Sequence, residues 1–136
     1  MKYLLDTATW LNYALLPTVV PVNIRRLIDG VDTKGLCSIS LLETAILHRL
    51  GRSGITGPLP EFFSRAVADD VEVLDLTPAV AAATNDLPRA FQGDPFDRTI
   101  AATAKVLNLV LITPDKQIRD AGFCKVQFYP FKPSRA

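Results

Sequence analysis

A chain of 136 residues, 49% apolar and 21% charged, is the size of one compact domain with material for its own core, which excludes mechanisms that need two lobes. Its longest apolar runs, such as 109–112, fall far short of the ~20 residues that span a bilayer, and Asp6 interrupts the N-terminal apolar stretch before a signal-like segment develops, so a soluble cytoplasmic protein without membrane contact is expected. Fifteen Lys and Arg against fourteen Asp and Glu leave a formal charge of +1, which excludes holding a polyanion by bulk charge; any nucleic acid must be met locally.

Short apolar runs alternate with longer amphipathic ones, the pattern of an α/β domain around a mostly parallel sheet. Residues 2–5 read as the first strand, and apolar residues at helical spacing over 7–16 predict a helix that Pro17 stops. A second helix is predicted over 22–29, with Ile24, Leu27 and Ile28 on one face and Gly30 as its terminator. Residues 36–39 read as the second strand, Ser40 opens a helix to about residue 50 that Gly51 closes, and the Gly- and Pro-bearing stretch to Pro60 is a loop. A helix over 61–68, the third strand over 71–74 and an alanine-rich helix over 78–86, started by Thr77-Pro78, follow. After a loop over 87–94, Pro95 begins a helix to about residue 107, the fourth strand is 109–112, one or two helical turns cover 114–120 and the fifth strand is 125–128. Residues 131–136 read as a frayed tail on a single domain of residues 1–136.

The position of a few carboxylates on this framework carries the functional information. Asp6 directly follows the first strand, Glu43 lies in the first turn after the second, and Asp115 in the first turn after the fourth. Asp94 and Asp97 start the helix that leads into the fourth strand, and a crossover helix runs antiparallel to its strands, so its N-terminus lies at the sheet's carboxyl edge. All these acids are expected on the edge where open α/β sheets hold their sites.

Helix capping offers each acid a second reading. Ser40-Leu41-Leu42-Glu43 has the form of a capping box, Asp6 and Asp94 suit N-cap positions, and Thr113-Pro114-Asp115 repeats the scheme of Asp94-Pro95. Yet Thr7 or Thr9 would cap the first helix without added charge, and carboxylates crowded on one edge raise one another's pKa at a cost in stability. A hard divalent cation, Mg²⁺ or Mn²⁺, removes that cost with oxygen ligands, often one or two direct carboxylates and a shell of water. The single histidine, His48, excludes His-rich zinc sites, and Cys37 and Cys124, far apart in strand-like surroundings, read as buried free thiols.

In combination these residues resemble a known family. Leu4-Leu5-Asp6-Thr7, Ser40-x-x-Glu43, the run Asp94-Pro95-Phe96-Asp97-Arg98-Thr99-Ile100-Ala101-Ala102-Thr103-Ala104, and Leu111-Ile112-Thr113-Pro114-Asp115 resemble the PIN-domain ribonucleases, specifically the VapC-type toxins of toxin-antitoxin pairs, over nearly the whole chain. The resemblance implies a three-layer α/β/α sandwich with a central, mostly parallel five-stranded sheet in the order 3-2-1-4-5. It implies an acidic site of Asp6, Glu43, Asp97 and Asp115, with Asp94 as an extra acid, holding Mg²⁺ or Mn²⁺, and Thr113 as the hydroxyl that braces the site. Asp75 also ends a strand, but that order puts it at the outer edge. Metal-dependent hydrolysis of RNA phosphodiesters, a homodimer, and a cognate antitoxin whose arginine-bearing segment enters the acidic groove are implied as well.

Arg98, Lys116 and Arg119 flank the acids, and His48, Arg49 and Arg52 end the helix that carries Glu43, so these are candidate RNA phosphate contacts, with a solvated helix surface as the alternative. Two other functions share such a sheet. A catalytically silent PIN-like interaction module would lack at least one of the four acids, and none is missing. A phosphatase of the haloacid-dehalogenase type wants a second Asp two residues after the first, where this chain has Ala8, and a receiver-type domain wants an acidic pair after the first strand and a late Lys; neither pattern fits well.

Overall fold

The computed structural model describes residues 1–131. Five short strands, β1 (Tyr3–Leu5), β2 (Lys34–Cys37), β3 (Val71–Leu74), β4 (Val110–Thr113) and β5 (Val126–Phe128), pair in parallel in the order β3-β2-β1-β4-β5. The central strands β1 and β4 are largely apolar on both faces because helices cover both. Leu5, Leu36 and Ile112 pack on one side with Trp10, Ile24, Ile28 and Phe62, from helices α1 (Thr7–Leu15), α2 (Val22–Asp29) and α4 (Leu59–Ala66). Leu4, Cys37 and Leu111 pack on the other side with Ile100, Ala101 and Ala104 of α6 (Pro95–Leu107) and Ile118 of α7 (Lys116–Ala121). Helices α3 (Ser38–Arg49) and α5 (Pro78–Ala83) flank α6, whose small Ala101, Ala102 and Ala104 let it sit buried between them. This is the expected three-layer α/β/α sandwich.

Several element boundaries differ from the sequence expectation. β2 starts at Lys34, not at 36, because the polar-looking start of the strand is buried: the Lys34 ammonium meets Asp70 at 2.6 Å, and a Cβ on Gly35 would stand 2.9 Å from Leu74. The strand ends at Cys37, and α3 begins at Ser38 rather than Ser40, which puts Glu43 in its second turn. α4 begins at Leu59 and takes Pro60 into its first turn, where a missing N–H costs nothing. The helix expected over 78–86 is α5 followed by a 3₁₀ turn at Thr84–Asp86, and the turns expected over 114–120 are α7, shifted to Lys116–Ala121. A further 3₁₀ turn, Pro17–Val19, follows α1. Beyond Phe131 the expected tail lies outside the described residues, and among those described no helix is long and apolar enough to cross a membrane.

Strand order reverses at β1, which leads to β2 on one side and has β4 on the other. Ligands of open α/β sheets bind outside the carboxyl ends of the strands at such a switch point. Asp6 leaves β1 and Thr113 ends β4 at that crevice.

Candidate active site

Asp6 caps α1, accepting from the Thr9 amide at 2.8 Å. From the end of β4, Thr113 donates its hydroxyl to the other Asp6 oxygen and accepts the Asp115 amide at 3.0 Å, so one buried hydroxyl joins two acids. Asp115 caps α7, accepting from the Gln117 and Ile118 amides at 2.8 and 3.3 Å, and Asp94 caps α6, accepting from the Asp97 amide at 2.9 Å. In Asp94 and Asp115 these bonds engage Oδ1 only. Capping therefore accounts for Asp6, Asp94 and Asp115 and leaves Oδ2 of Asp94 and of Asp115 unengaged, whereas both Asp6 oxygens accept a hydrogen bond.

Glu43 and Asp97 cap nothing. The capping box expected from Ser40 to Glu43 does not form, because α3 begins two residues earlier and Ser40 lies inside its first turn. Its hydroxyl instead accepts from Thr7 Oγ1 at 2.8 Å, and its carbonyl accepts from Thr44 Oγ1 at 2.7 Å. One turn on, Glu43 is half-buried and its Oε1 is buried with no hydrogen-bond partner. Burial raises its carboxyl pKa, the nearby Thr7 hydroxyl offsets part of this, and the charges of Asp94 and Asp6 add to it. Burial likewise pushes Asp97 up to about 7, with the charges of Asp94, Asp115, Glu43 and Asp6 adding in that order. Asp6 is raised by burial, opposed by its bonds to Thr113 and Thr9, with the Asp115 charge adding. Five acids from distant parts of the chain thus act on one another at the carboxyl edge. Asp75, at the end of edge strand β3, is not among the charges acting on Asp97.

The donor set fits a hard cation. Every available atom is a carboxylate or hydroxyl oxygen, Glu43 Oε1 lacks a partner, and burial together with the neighbouring charges disfavours the ionised form of Asp97. As posed, no three acid, His or Cys side chains among the described residues close around one point to hold a metal ion. One or two direct carboxylates with water suffice for Mg²⁺, so a ready-made cage is not required.

The candidate cations divide. Arg98, expected at phosphate, instead donates Nε to the Gly93 carbonyl at 3.0 Å and Nη2 to the Phe91 carbonyl at 2.9 Å. Arg119 pairs with Asp120 at 2.9 Å and lies over the Phe128 ring, 4.3 Å from its centroid. Lys116 stands exposed in the first turn of α7, next to Asp115. His48 Nδ1 bonds Ser53 Oγ at 2.9 Å, a turn lock after α3. Arg49 and Arg52 are exposed near the far end of that 12-residue helix, about 18 Å from its start at the acidic edge. Cys37 is buried and Cys124 half-buried, both are free, and burial pushes each thiol to about 11, so neither supplies a thiolate at neutral pH.

Sequence reasoning missed the hydroxyl layer beneath the acids. Thr7 links α1 to α3 through Ser40, and Thr9 donates to the Ile112 carbonyl at 3.1 Å, which leaves Tyr129 as the donor of the 2.8 Å bond to Thr9. The two threonines of Asp6-Thr7-Ala8-Thr9 were the available signal, since both turn out buried. A hollow of about 220 Å³ on the α1–α4 side, lined by Trp10, Tyr13, Phe62 and Arg65, includes none of the five site acids.

A parallel sheet of this order with carboxylates gathered at its switch point defines an acidic-site α/β domain, and the comparisons with known proteins give it a family. The PIN domain family model matches residues 3–123. The chain belongs to the PIN-domain family. Ribonuclease VapC22 from Mycobacterium tuberculosis (strain ATCC 25618 / H37Rv) is 31% identical over 116 residues, 85% of this chain and 88% of that protein, in agreement with the VapC-type resemblance of the motifs. Among solved structures, a chain of VapBC-1 from nontypeable Haemophilus influenzae matches with a TM-score of 0.71 at 19% identity, covering 94% of this chain and 98% of that one. A chain of the toxin-antitoxin complex from Klebsiella pneumoniae matches with a TM-score of 0.65 at 15% identity, covering 96% and 100%. At those identities the two structures attest the fold.

Proposed function

We propose that the chain is a metal-dependent endoribonuclease and the toxin of a toxin-antitoxin pair. The observation that carries this reading is that Glu43 and Asp97, the two acids with no capping duty, are held half-buried among three more carboxylates, an arrangement that costs stability unless a cation joins it. The ribonuclease name of the relative VapC22 supports the reaction class. In this reading Asp6, Glu43, Asp97 and Asp115, with Asp94, hold Mg²⁺ or Mn²⁺. Once bound, such an ion supplies a water of lowered pKa and compensates charge at the scissile phosphate. Thr113 fixes the Asp6 carboxylate from β4, and Thr7 supports the wall carrying Glu43. Asp97, whose oxygens make no hydrogen bond among the described residues, is free to take a ligand or a proton. Lys116 is the cation available for a backbone phosphate, and hydrolysis leaves a 3′-hydroxyl.

The partner follows from the same charges. Five carboxylates suit an arginine-bearing segment of an antitoxin, because a guanidinium pairs bidentately with a carboxylate. A structural relative from Klebsiella pneumoniae was solved as a toxin-antitoxin complex, which supports this partner class. A homodimer belongs to the proposal, with Leu42 and Ile46 of α3 and Leu50 at its C-cap, exposed at four-residue spacing, as its available apolar surface. Expression of the chain alone against Asp97→Asn, with growth and total RNA integrity as readouts, tests the proposal. Growth arrest with RNA breakdown is expected from the wild type only; intact RNA at equal expression of both overturns it.

A further inference from the structure

We infer that Arg98 is a positioning residue that ties the 87–94 segment to α6 and so sets where Asp94 stands against Asp97, rather than a contact to RNA. The inference rests on the ribonuclease reading above. Residues 87–94 join the 3₁₀ turn at Thr84–Asp86 to α6 with no helix or strand of their own, and within them only the Phe91 amide finds a backbone partner, the Pro88 carbonyl at 2.9 Å. Arg98 supplies what the segment lacks. From the second turn of α6 its Nε donates to the Gly93 carbonyl at 3.0 Å and its Nη2 to the Phe91 carbonyl at 2.9 Å, while the guanidinium lies over the Phe91 ring, 5.6 Å from its centroid. The Nε–Nη2 edge, which would grip a phosphate, is thereby turned onto two main-chain carbonyls.

The packing under this fork is close. Phe91 is 4% exposed and belongs to the core cluster with Leu87 and Ile100. A Cβ on Gly93 would stand 2.4 Å from the Phe91 ring and 3.1 Å from Asp97 Cβ, so the chain passes between ring and acid only because that residue is glycine. Asp94 follows immediately and caps α6 through the Asp97 amide. Arg98, Phe91 and Gly93 therefore set the entry angle of the helix that carries both acids. A lysine has the charge but not the planar fork, and cannot bridge two carbonyls while stacking on a ring.

The test compares wild type, Arg98→Lys, Arg98→Ala and Gly93→Ala. Hydrogen exchange is measured over 87–98 and over the α6–β4 core, RNA cleavage is split into kcat and KM, and RNA binding against salt is measured in an Asp97→Asn background. Expected are faster exchange confined to 87–98 in all three variants, a kcat lowered about ten- to a hundredfold, KM within about twofold, and an unchanged salt slope. Arg98→Lys should be as impaired as Arg98→Ala, and Gly93→Ala should reproduce the loss with the arginine intact. A phosphate contact gives the reverse: rescue by lysine, and in Arg98→Ala a raised KM and a slope of log binding constant against log salt reduced by about 0.7. Either that pattern or wild-type exchange over 87–98 in Arg98→Ala overturns the inference. Equal, background-level cleavage by wild type and Asp97→Asn instead removes the ribonuclease reading, while the exchange data still decide whether Arg98 holds the segment.

Discussion

Thr113 donates its hydroxyl to Asp6 across the seam between β4 and β1, joining two buried groups 107 residues apart in the chain. The same hydroxyl accepts the Asp115 amide. Thr113→Val keeps the shape and removes both bonds, leaving a buried carboxylate short of a donor, so a loss of about 1–3 kcal/mol is expected in denaturant unfolding with chelator present. Cleavage should fall with it, and Thr113→Ser should retain most of both.

Capping and charge separate at Asp94. Asn caps a helix as well as Asp does, so Asp94→Asn should unfold within a few tenths of a kcal/mol of wild type, whereas Asp94→Ala should lose about 1 kcal/mol. Equal losses in the two variants would mean that the charge, not the cap, stabilises the start of α6.

Asp97 sets a pH dependence of the opposite sense to that of an ordinary ion pair. Its unfolded value is 3.8 and its folded value about 7, so between these the folded state binds more protons than the unfolded one. Its contribution is fully present below about pH 4 and is lost as pH rises through about 7. Asp70, held below the usual range by its hydrogen bond to Lys34, acts with the other sign and cancels when wild type is subtracted from variant. Unfolding in chelator should find Asp97→Asn more stable than wild type near pH 8, by on the order of 1 kcal/mol or more, with the gap closing toward pH 4. A variant less stable by the same amount at both ends would contradict the crowding of these acids.

Asp6→Asn removes a charge without changing side-chain volume and is expected to abolish cleavage in a protein that still gives a cooperative unfolding transition. Asp75→Asn, at the end of edge strand β3, should cleave at the wild-type rate. Loss of activity in Asp75→Asn would relocate the site away from the β1–β4 crevice.

Much of this was legible because the acids follow strands. Asp6 and Asp115 fall beside apolar runs that can only be buried strands, Asp94-Pro95 marks a helix start, and the crossover rule then brings all of them to one edge. Glu43 sits one turn deeper than its sequence position suggests: expected in the first turn after the second strand, it lies in the second turn of α3. Ser40-x-x-Glu43 has the form of a capping box, but β2 runs from Lys34 to Cys37 and α3 starts at Ser38, and the buried Lys34 at the strand's start meets Asp70, a long-range pair invisible to local pattern. Arg98 is also only half legible: beside Asp97 in sequence it reads as a candidate phosphate contact, and only the folded loop brings the Phe91 and Gly93 carbonyls to its guanidinium.

The most direct measurement is the melting temperature of wild type and Asp97→Asn near pH 8, each in chelator and in millimolar Mn²⁺. Asp97→Asn should melt above wild type in chelator, and Mn²⁺ should raise the wild type by several degrees, as binding to the folded state alone requires, while moving the variant little. A wild type indifferent to Mn²⁺ that melts above Asp97→Asn in chelator would contradict a metal-holding site and leave the acids as helix caps.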